Sequence, residues 1–250
     1  MTDPYAPTAS VYDLVNAPWR GAQVAALERL APLLQPARGP ILDVGAGSGA
    51  NIEWALDRFP DAHVCALEPS PSMRGLALAR IAAHPEWFAR VTLRPEDFFS
   101  ATLPERLGGA ILLGVLGHFD PGERAAVLAE LARRLPPDGA ALIDLQAPER
   151  PVTIPAAITD IARIGGIDYR LITEAEPAGG DRMRWRMTYL SLEDERVLTE
   201  DTAEFLYRHP DPDAVRAEAD RVGLRAQRLD DAGYWLLTRR GSPISPPTAR

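Results

Sequence analysis

"ILDVGAGSGAN", residues Ile41 to Asn51, places Gly45, Gly47 and Gly49 at alternate positions directly after a short apolar run. A strand that ends in such a turn and passes into a helix ("ANIEWALDRF", 50–59) aims backbone N–H groups at a ligand beyond the strand's carboxyl end. Glycine is what lets the backbone turn and approach so closely. The stretch satisfies the dinucleotide pattern G-x-G-x-x-[GA] through Gly45, Gly47 and Ala50, and Glu68, ending the next strand, could hold ribose hydroxyls. Two details point elsewhere. Gly49 makes the spacing G-x-G-x-G, and Asp43 puts a carboxylate where it can hold an ammonium group or orient the loop.

Working outward, apolar strands alternate with helical stretches from residue 11 to residue 146. "VYDLVNAPW" and "AQVAALERLAPLL" carry helical spacing. "PILDV", "AHVCALE", "RVTLRPED", "GGAILLGVLGHF" and "AALIDLQ" read as strands one to five, with helices "PSMRGLALARIAAH" and "PGERAAVLAELARRL" among the connections. That alternation predicts a parallel sheet covered on both faces, an α/β fold. It then stops. "AAITDIARIG" (156–165) reads as helical, whereas "DYRLITEAE", "DRMRWRMTYLSLED" and "ERVLTEDTAEFLYR" read as long antiparallel strands, the last two turning near Glu193 to Glu195. A helix, "PDAVRAEADRVGL", and two strands close the pattern. The predicted organisation is a Rossmann-like seven-stranded domain over 11–147 and 210–240, an inserted substrate-binding region over 148–209, and flexible tails at 1–10 and 241–250.

Composition narrows the function. A formal net charge of -8 argues against nucleic acid or an acidic membrane as the main partner. No apolar run is long enough to span a bilayer and no secretory leader is evident, so a cytoplasmic location is expected. One cysteine, Cys65, excludes an internal disulfide and a multi-cysteine zinc site. The sequence contains no lysine, which removes P-loop and Schiff-base chemistry. No cluster has the spacing of a magnesium site, and no metal is expected.

Four stretches in order, "ILDVGAGSG", "VCALEPSPSM", "RPEDFF" and "LARRLPPDGAALI", resemble the motifs of class I S-adenosylmethionine-dependent methyltransferases. The resemblance spans about Val11 to Gln146 and implies S-adenosylmethionine as cofactor, with S-adenosylhomocysteine as product. It implies that Gly45, Ala46, Gly47 and Gly49 let the backbone approach the methionine part, with Asp43 beside them. Glu68, followed by Pro69, would take the ribose hydroxyls, and Met73 would lie by the adenine or simply in the helix core. Asp97 and the Phe98 backbone would bind the adenine, with Glu96 the alternative if the register slips. Gly114 ends strand four at the same edge. Many relatives carry an acid at the start of strand four, where this chain has Gly109.

Methyl transfer needs a nucleophile aligned behind the methyl group and a place for its proton to go. Of the four histidines, His118 in "GVLGHFD" follows strand four at the ligand edge of the sheet, as a base or orienter, or else as a helix cap. His63 and His84 read as structural, and His209 as a surface residue. "VYDLVNAPWR" and the Gly-His pair resemble small-molecule N-methyltransferases of the amino-sugar type. That likeness implies Tyr12 over the methyl donor, or a core aromatic, and Arg20 on the methionine carboxylate, or on a solvated face. In "RMRWRMTYLSL" strand alternation puts Trp185, Met187 and Tyr189 on one face, as acceptor contacts or as core or dimer contacts, with a homodimer through the inserted strands one outcome. The expected activity is N-methylation of a small natural product, amino sugar or short peptide. The rivals are an O-methyltransferase, a cofactor-binding protein without methyl transfer, and an NAD-dependent oxidoreductase.

Overall fold

The computed structural model describes residues 3–239. In chain order, α1 (Ala6–Ala9) and α2 (Tyr12–Leu30) lead into β1 (Ile41–Val44), α3 (Ala50–Arg58), β2 (Val64–Leu67), α4 (Pro71–Ala82) and β3 (Val91–Arg94). There follow β4 (Gly109–Leu112), α5 (Pro121–Arg134) and β5 (Ala140–Asp144). A meander of β6 (Ile154–Ile164), β7 (Ile167–Pro177), β8 (Arg182–Glu193) and β9 (Arg196–Arg208) intervenes before α6 (Pro212–Arg221), β10 (Leu224–Arg228) and β11 (Tyr234–Arg239).

The main sheet has seven strands in the order β10-β11-β5-β4-β1-β2-β3. β11 runs antiparallel to both neighbours, and the other pairs are parallel. This is the Rossmann-like sheet of the methyltransferase fold, with a separate four-stranded antiparallel sheet, β6-β7-β8-β9, inserted after β5. The chain runs outward from β1 to β3 and crosses back to β4, so a crevice opens at the carboxyl ends of β1 and β4.

The two-residue period of β1 sorts its side chains. Leu42 and Val44 pack with Val127, Leu128 and Leu131 of α5 and Val215 and Ala219 of α6. Ile41 packs on the other face with Leu27 and Leu30 of α2 and Ile52 and Ala55 of α3. Asp43 therefore points toward α2 and α3, beneath the crevice. On the opposite face a bidentate pair ties α5 to α6, with Arg124 Nε and Nη2 donating to Glu218 at 2.6 and 2.8 Å. α5 starts on a capping box between Asp120 and Glu123, a cap that contributes about 1 kcal/mol.

Three expectations change. Residues 156–165 lie in strand β6 and its turn, not in a helix. Ile158, Ile161 and Ile164 recur every third residue and suit either structure, but β6 pairs with β7 across Gly165-Gly166, and Gly165 takes the φ of +60° such a turn requires. The two helical stretches at the start fuse into α2, with Pro18 inside it. Residues 3–9 differ from the frayed tail expected there: α1 is ordered and held by side chains described below. The tail placed at 241–250 lies outside the described residues. The β8–β9 hairpin turns on Asp194 and Glu195, whose φ values are +47° and +64°, where the alternation put it.

Candidate functional site

Gly45, Gly47 and Gly49 all take positive φ, at 67°, 57° and 82°. The torsions demand glycine, and at Gly49 the space is tight as well. A Cβ on Gly49 would stand 3.2 Å from the Ala77 Cα, and one on Gly47 would stand 3.4 Å from the Tyr12 hydroxyl. Tyr12 thus lies against the loop at Gly47.

Glu68 ties this loop to the end of β2. Its Oε2 accepts the Gly47 N–H and its Oε1 the Ser70 N–H, both at 2.8 Å. Each oxygen keeps a second lone pair for a ligand hydroxyl. Burial raises the Glu68 pKa, and the two N–H bonds oppose that rise. Met73 is buried in the first turn of α4, its methyl facing the same glycine.

Asp43 is 1% exposed, and burial pushes its carboxyl up to about 7. Oδ1 accepts from Asn51 at 3.3 Å, while Oδ2 is buried without a partner. A chain of side chains continues outward: Gln23 donates to Asn51 at 3.0 Å, and Arg20 donates to Gln23 at 3.0 Å and to the Ala50 carbonyl at 2.7 Å. Arg20, Tyr12, Gly45, Ala46 and Gly114 line one cleft of about 740 Å³. The adenine side is more open. Asp97 is exposed, and its Oδ1 already takes the N–H groups of Phe99 and Ser100. The Phe98 side chain is buried, its ring edge-on to Phe99 and Phe119. Pro69 is exposed, and its carbonyl accepts from Arg74.

Asp43, Glu68 and Asp144 are all buried acids. An ammonium and sulfonium ligand supplies the counter-charge that the orphaned Asp43 oxygen lacks; a dinucleotide diphosphate would set like charges together. The residues fit S-adenosylmethionine, and the NAD alternative loses its support.

Across β4, His118 sits in a short 3-10 helix (Leu116–His118). Its Nε2 is 2.8 Å from the Tyr5 hydroxyl, and Tyr5 and Tyr207 pack edge-on against its ring. Desolvation by these rings lowers the His118 pKa, which favours the neutral imidazole, while the residue keeps an edge exposed to solvent. Gly117 is obligatory here, since a Cβ would overlap the Tyr207 ring. The strap from Asp3 to Ala9 is pinned at three points. Asp3 Oδ2 accepts from Ser70 Oγ and the Ser72 N–H at 2.8 and 2.9 Å, Tyr5 meets His118, and Thr8 donates to the Tyr189 hydroxyl at 3.0 Å.

Of the alternatives for the inserted hairpin, Tyr189 and Met187 take the core one. Tyr189 is buried with Leu171 and Ala203 and packs on Val11 and Val15 together with Met187. Trp185 donates to His209 Nε2 at 3.1 Å. None of Trp185, Met187 and Tyr189 lines the cleft. His209, read as a surface residue, is buried, with Nδ1 3.2 Å from the Gln146 carbonyl. Two residues were missed. Tyr5 lay in a proline-rich stretch that carries no periodic signal. Asp144 had a signal, since an acid ending a central strand faces the ligand edge. Among the described residues no group of three His, Cys, Asp or Glu side chains could hold a metal, and no helix is long and apolar enough to cross a membrane.

Residues 41–139 match the family model described as a methyltransferase domain. A trans-aconitate 2-methyltransferase of Acidovorax sp. (strain JS42) is 30% identical over 121 residues, 48% of this chain and 43% of that protein. Among solved structures, DesVI of Streptomyces venezuelae superposes with a TM-score of 0.74 at 20% identity, covering 93% of this chain and 98% of the other. CalS10, an amino pentose methyltransferase from Micromonospora echinaspora, does so with 0.68 at 23% identity, covering 88% and 90%. The chain spans less than half the length of the curated relatives it matches. Residues 41–139 thus match a methyltransferase domain, and the seven-stranded sheet around them has the fold of the methyltransferases it superposes on.

Proposed function

We propose that this chain methylates the amine nitrogen of a small natural product, amino sugar or short peptide in the cytoplasm. The observation that carries the reading is the contact between the Tyr5 hydroxyl and His118 Nε2 in the turn after β4, at the carboxyl edge of the sheet where the cleft holding Tyr12 and Gly114 also opens. S-adenosylmethionine supplies an electrophilic methyl group when bound. Within 11–147 and 210–240, Asp43 would hold its ammonium, Arg20 its carboxylate and Glu68 its ribose, with Asp97 and the Phe98 backbone at the adenine and Met73 beside it. Tyr12 would shield the methyl-transfer position from water. Neutral His118, with Tyr5 as its partner, would take up the proton that an attacking amine must shed, at Nε2 or through the Tyr5 oxygen. Residues 148–209 would build the acceptor wall, Trp185, Met187 and Tyr189 acting by holding α1, α2 and His209 in place.

The amino pentose methyltransferase on the same fold supports a nitrogen acceptor. The Acidovorax relative's name favours a second reading, O-methylation of a carboxylic acid. The buried Asp144 in the cleft weighs against a polyanionic acceptor. Ile158, Val197 and Leu206 are exposed on the second sheet, which supports self-association there. The test is incubation with methyl-labelled S-adenosylmethionine and matched amine and hydroxyl acceptors, followed by mass analysis. Methylated amines are expected, and Tyr5→Phe and His118→Ala should each lower turnover at unchanged S-adenosylhomocysteine affinity. Products methylated only on oxygen would overturn the proposal.

A further inference from the structure

Asp144 ends β5 and lines the cleft with Gly114, Gln146 and Tyr234. It is 9% exposed. Oδ1 accepts the Gly114 N–H at 2.8 Å, and the Gln146 side chain donates to the same carboxylate. Three phenols lie within its electrostatic reach, Tyr12 from α2, Tyr207 from β9 and Tyr234 from β11, and its charge helps hold their protons on. No arginine or histidine among the described residues forms an ion pair with it. The cleft's arginines are engaged elsewhere, Arg20 with Gln23 and the Ala50 carbonyl, Arg80 with Asp13, Glu53 and the Ser48 carbonyl. A desolvated carboxylate without a counter-charge is unfavourable, and a cleft retains one at a cost in stability.

Position separates this acid from the cofactor's own. Asp43 is the penultimate residue of β1 and Asp144 the last of β5, with β4 between them, so two strand spacings, about 10 Å, divide their strands. Asp43 is bonded to Asn51 of α3, whereas Asp144 lines the cleft that Tyr12 also lines.

We propose that Asp144 is the acceptor-recognition residue: its carboxylate receives an N–H of the substrate's amine in its ammonium form, the form in which an alkylamine arrives at neutral pH, and selects that cation over an isosteric hydroxyl before the proton is shed. This rests on the N-methylation reading above. Burial holds the Asp144 carboxyl up at about 6, so it is mostly ionised at pH 7 and available for the contact. Gln146 and the Gly114 N–H fix the carboxylate plane, and the surrounding phenols offer it no competing cation.

The test uses the full chain saturated with S-adenosylhomocysteine, titrated with benzylamine and benzyl alcohol and with an aminohexose and its parent hexose. Thermal shift and calorimetry provide the readout. Asp144→Asn keeps an oxygen for the Gly114 N–H, and its own melting temperature and S-adenosylhomocysteine affinity establish that it folds. The wild type should prefer each amine over its hydroxyl partner, and Asp144→Asn should reduce that preference about tenfold or more. A preference retained in Asp144→Asn overturns the assignment of Asp144 and leaves N-methylation standing. A wild type that shows no preference for amines, or prefers the hydroxyl partner, overturns both. If Asp144→Asn weakens S-adenosylmethionine but not S-adenosylhomocysteine, the carboxylate faces the sulfonium and the acceptor role is wrong.

Discussion

Replacing Glu68 by Gln keeps the shape of the side chain and removes its charge. The wild-type carboxylate satisfies the Gly47 and Ser70 N–H groups, one on each oxygen at 2.8 Å. A glutamine has one carbonyl oxygen, so one of those donors must face an NH₂ group that also donates. A hydrogen bond to a charged group contributes about 1.5–3 kcal/mol, and a buried donor left without an acceptor costs about 1–3 kcal/mol. The wild-type acid is itself desolvated, as its raised pKa records, and losing that charge returns part of the cost. Glu68→Gln should therefore lose about 2–4 kcal/mol of folding stability. A ribose hydroxyl meeting the new NH₂ also loses its acceptor, so S-adenosylhomocysteine affinity should fall about tenfold to a hundredfold. Urea unfolding and titration calorimetry measure the two effects separately. A variant with the wild-type urea midpoint and an affinity within about twofold would refute the assigned role of the carboxylate.

Burial raises Asp43 to about 7 and Asp144 to about 6, so between their ordinary values near 4 and these values the folded chain binds more protons than the unfolded one. Ligand-free stability should accordingly fall as pH rises from about 4 to about 7, while affinity for the cationic cofactor rises through the upper part of that range. Melting temperatures with and without S-adenosylmethionine at pH 5 to 8 check this, and Asp43→Asn should flatten the cofactor's pH dependence. Gly117→Ala drives a methyl group into the Tyr207 ring and should cost about 1–3 kcal/mol in urea unfolding. Glu218→Ala strands Arg124, which is 3% exposed, and should cost about 3–5 kcal/mol. Replacing both partners with apolar residues of similar volume should recover most of that loss in the same assay.

The cofactor half of the site was legible because its constraints are local. Positive φ at alternate positions admits little but glycine, and an acid at a strand's carboxyl end is fixed in place by the sheet, so Gly45, Gly47, Gly49, Asp43 and Glu68 could be read directly. The alternation of strand and helix gave the parallel sheet, whose strand order the structure supplies. The acceptor half was not legible, because long-range contacts set it. Tyr5 is placed by His118, which lies 113 residues away, and Thr8 by Tyr189, 181 residues away. Nothing in a Pro-Ala-Thr stretch announces either partner. Trp185, Met187 and Tyr189 did share a sheet face as the alternation implied, but the pattern could not say that α1, α2 and His209 would cover it. Residues 156–165 failed for a related reason: isoleucines three apart fit both periods, and the pairing with β7 decides.

The strap from Asp3 to Ala9 spans three separate elements, seated on the start of α4, on the turn after β4 and on β8 of the second sheet. Lifting it to exchange cofactor would break contacts on both sheets in one event. Loading a donor and packing the second sheet would then be coupled through seven residues of chain. A change at Tyr189, which touches neither ligand cleft nor glycine loop, would register in the rate at which spent cofactor leaves.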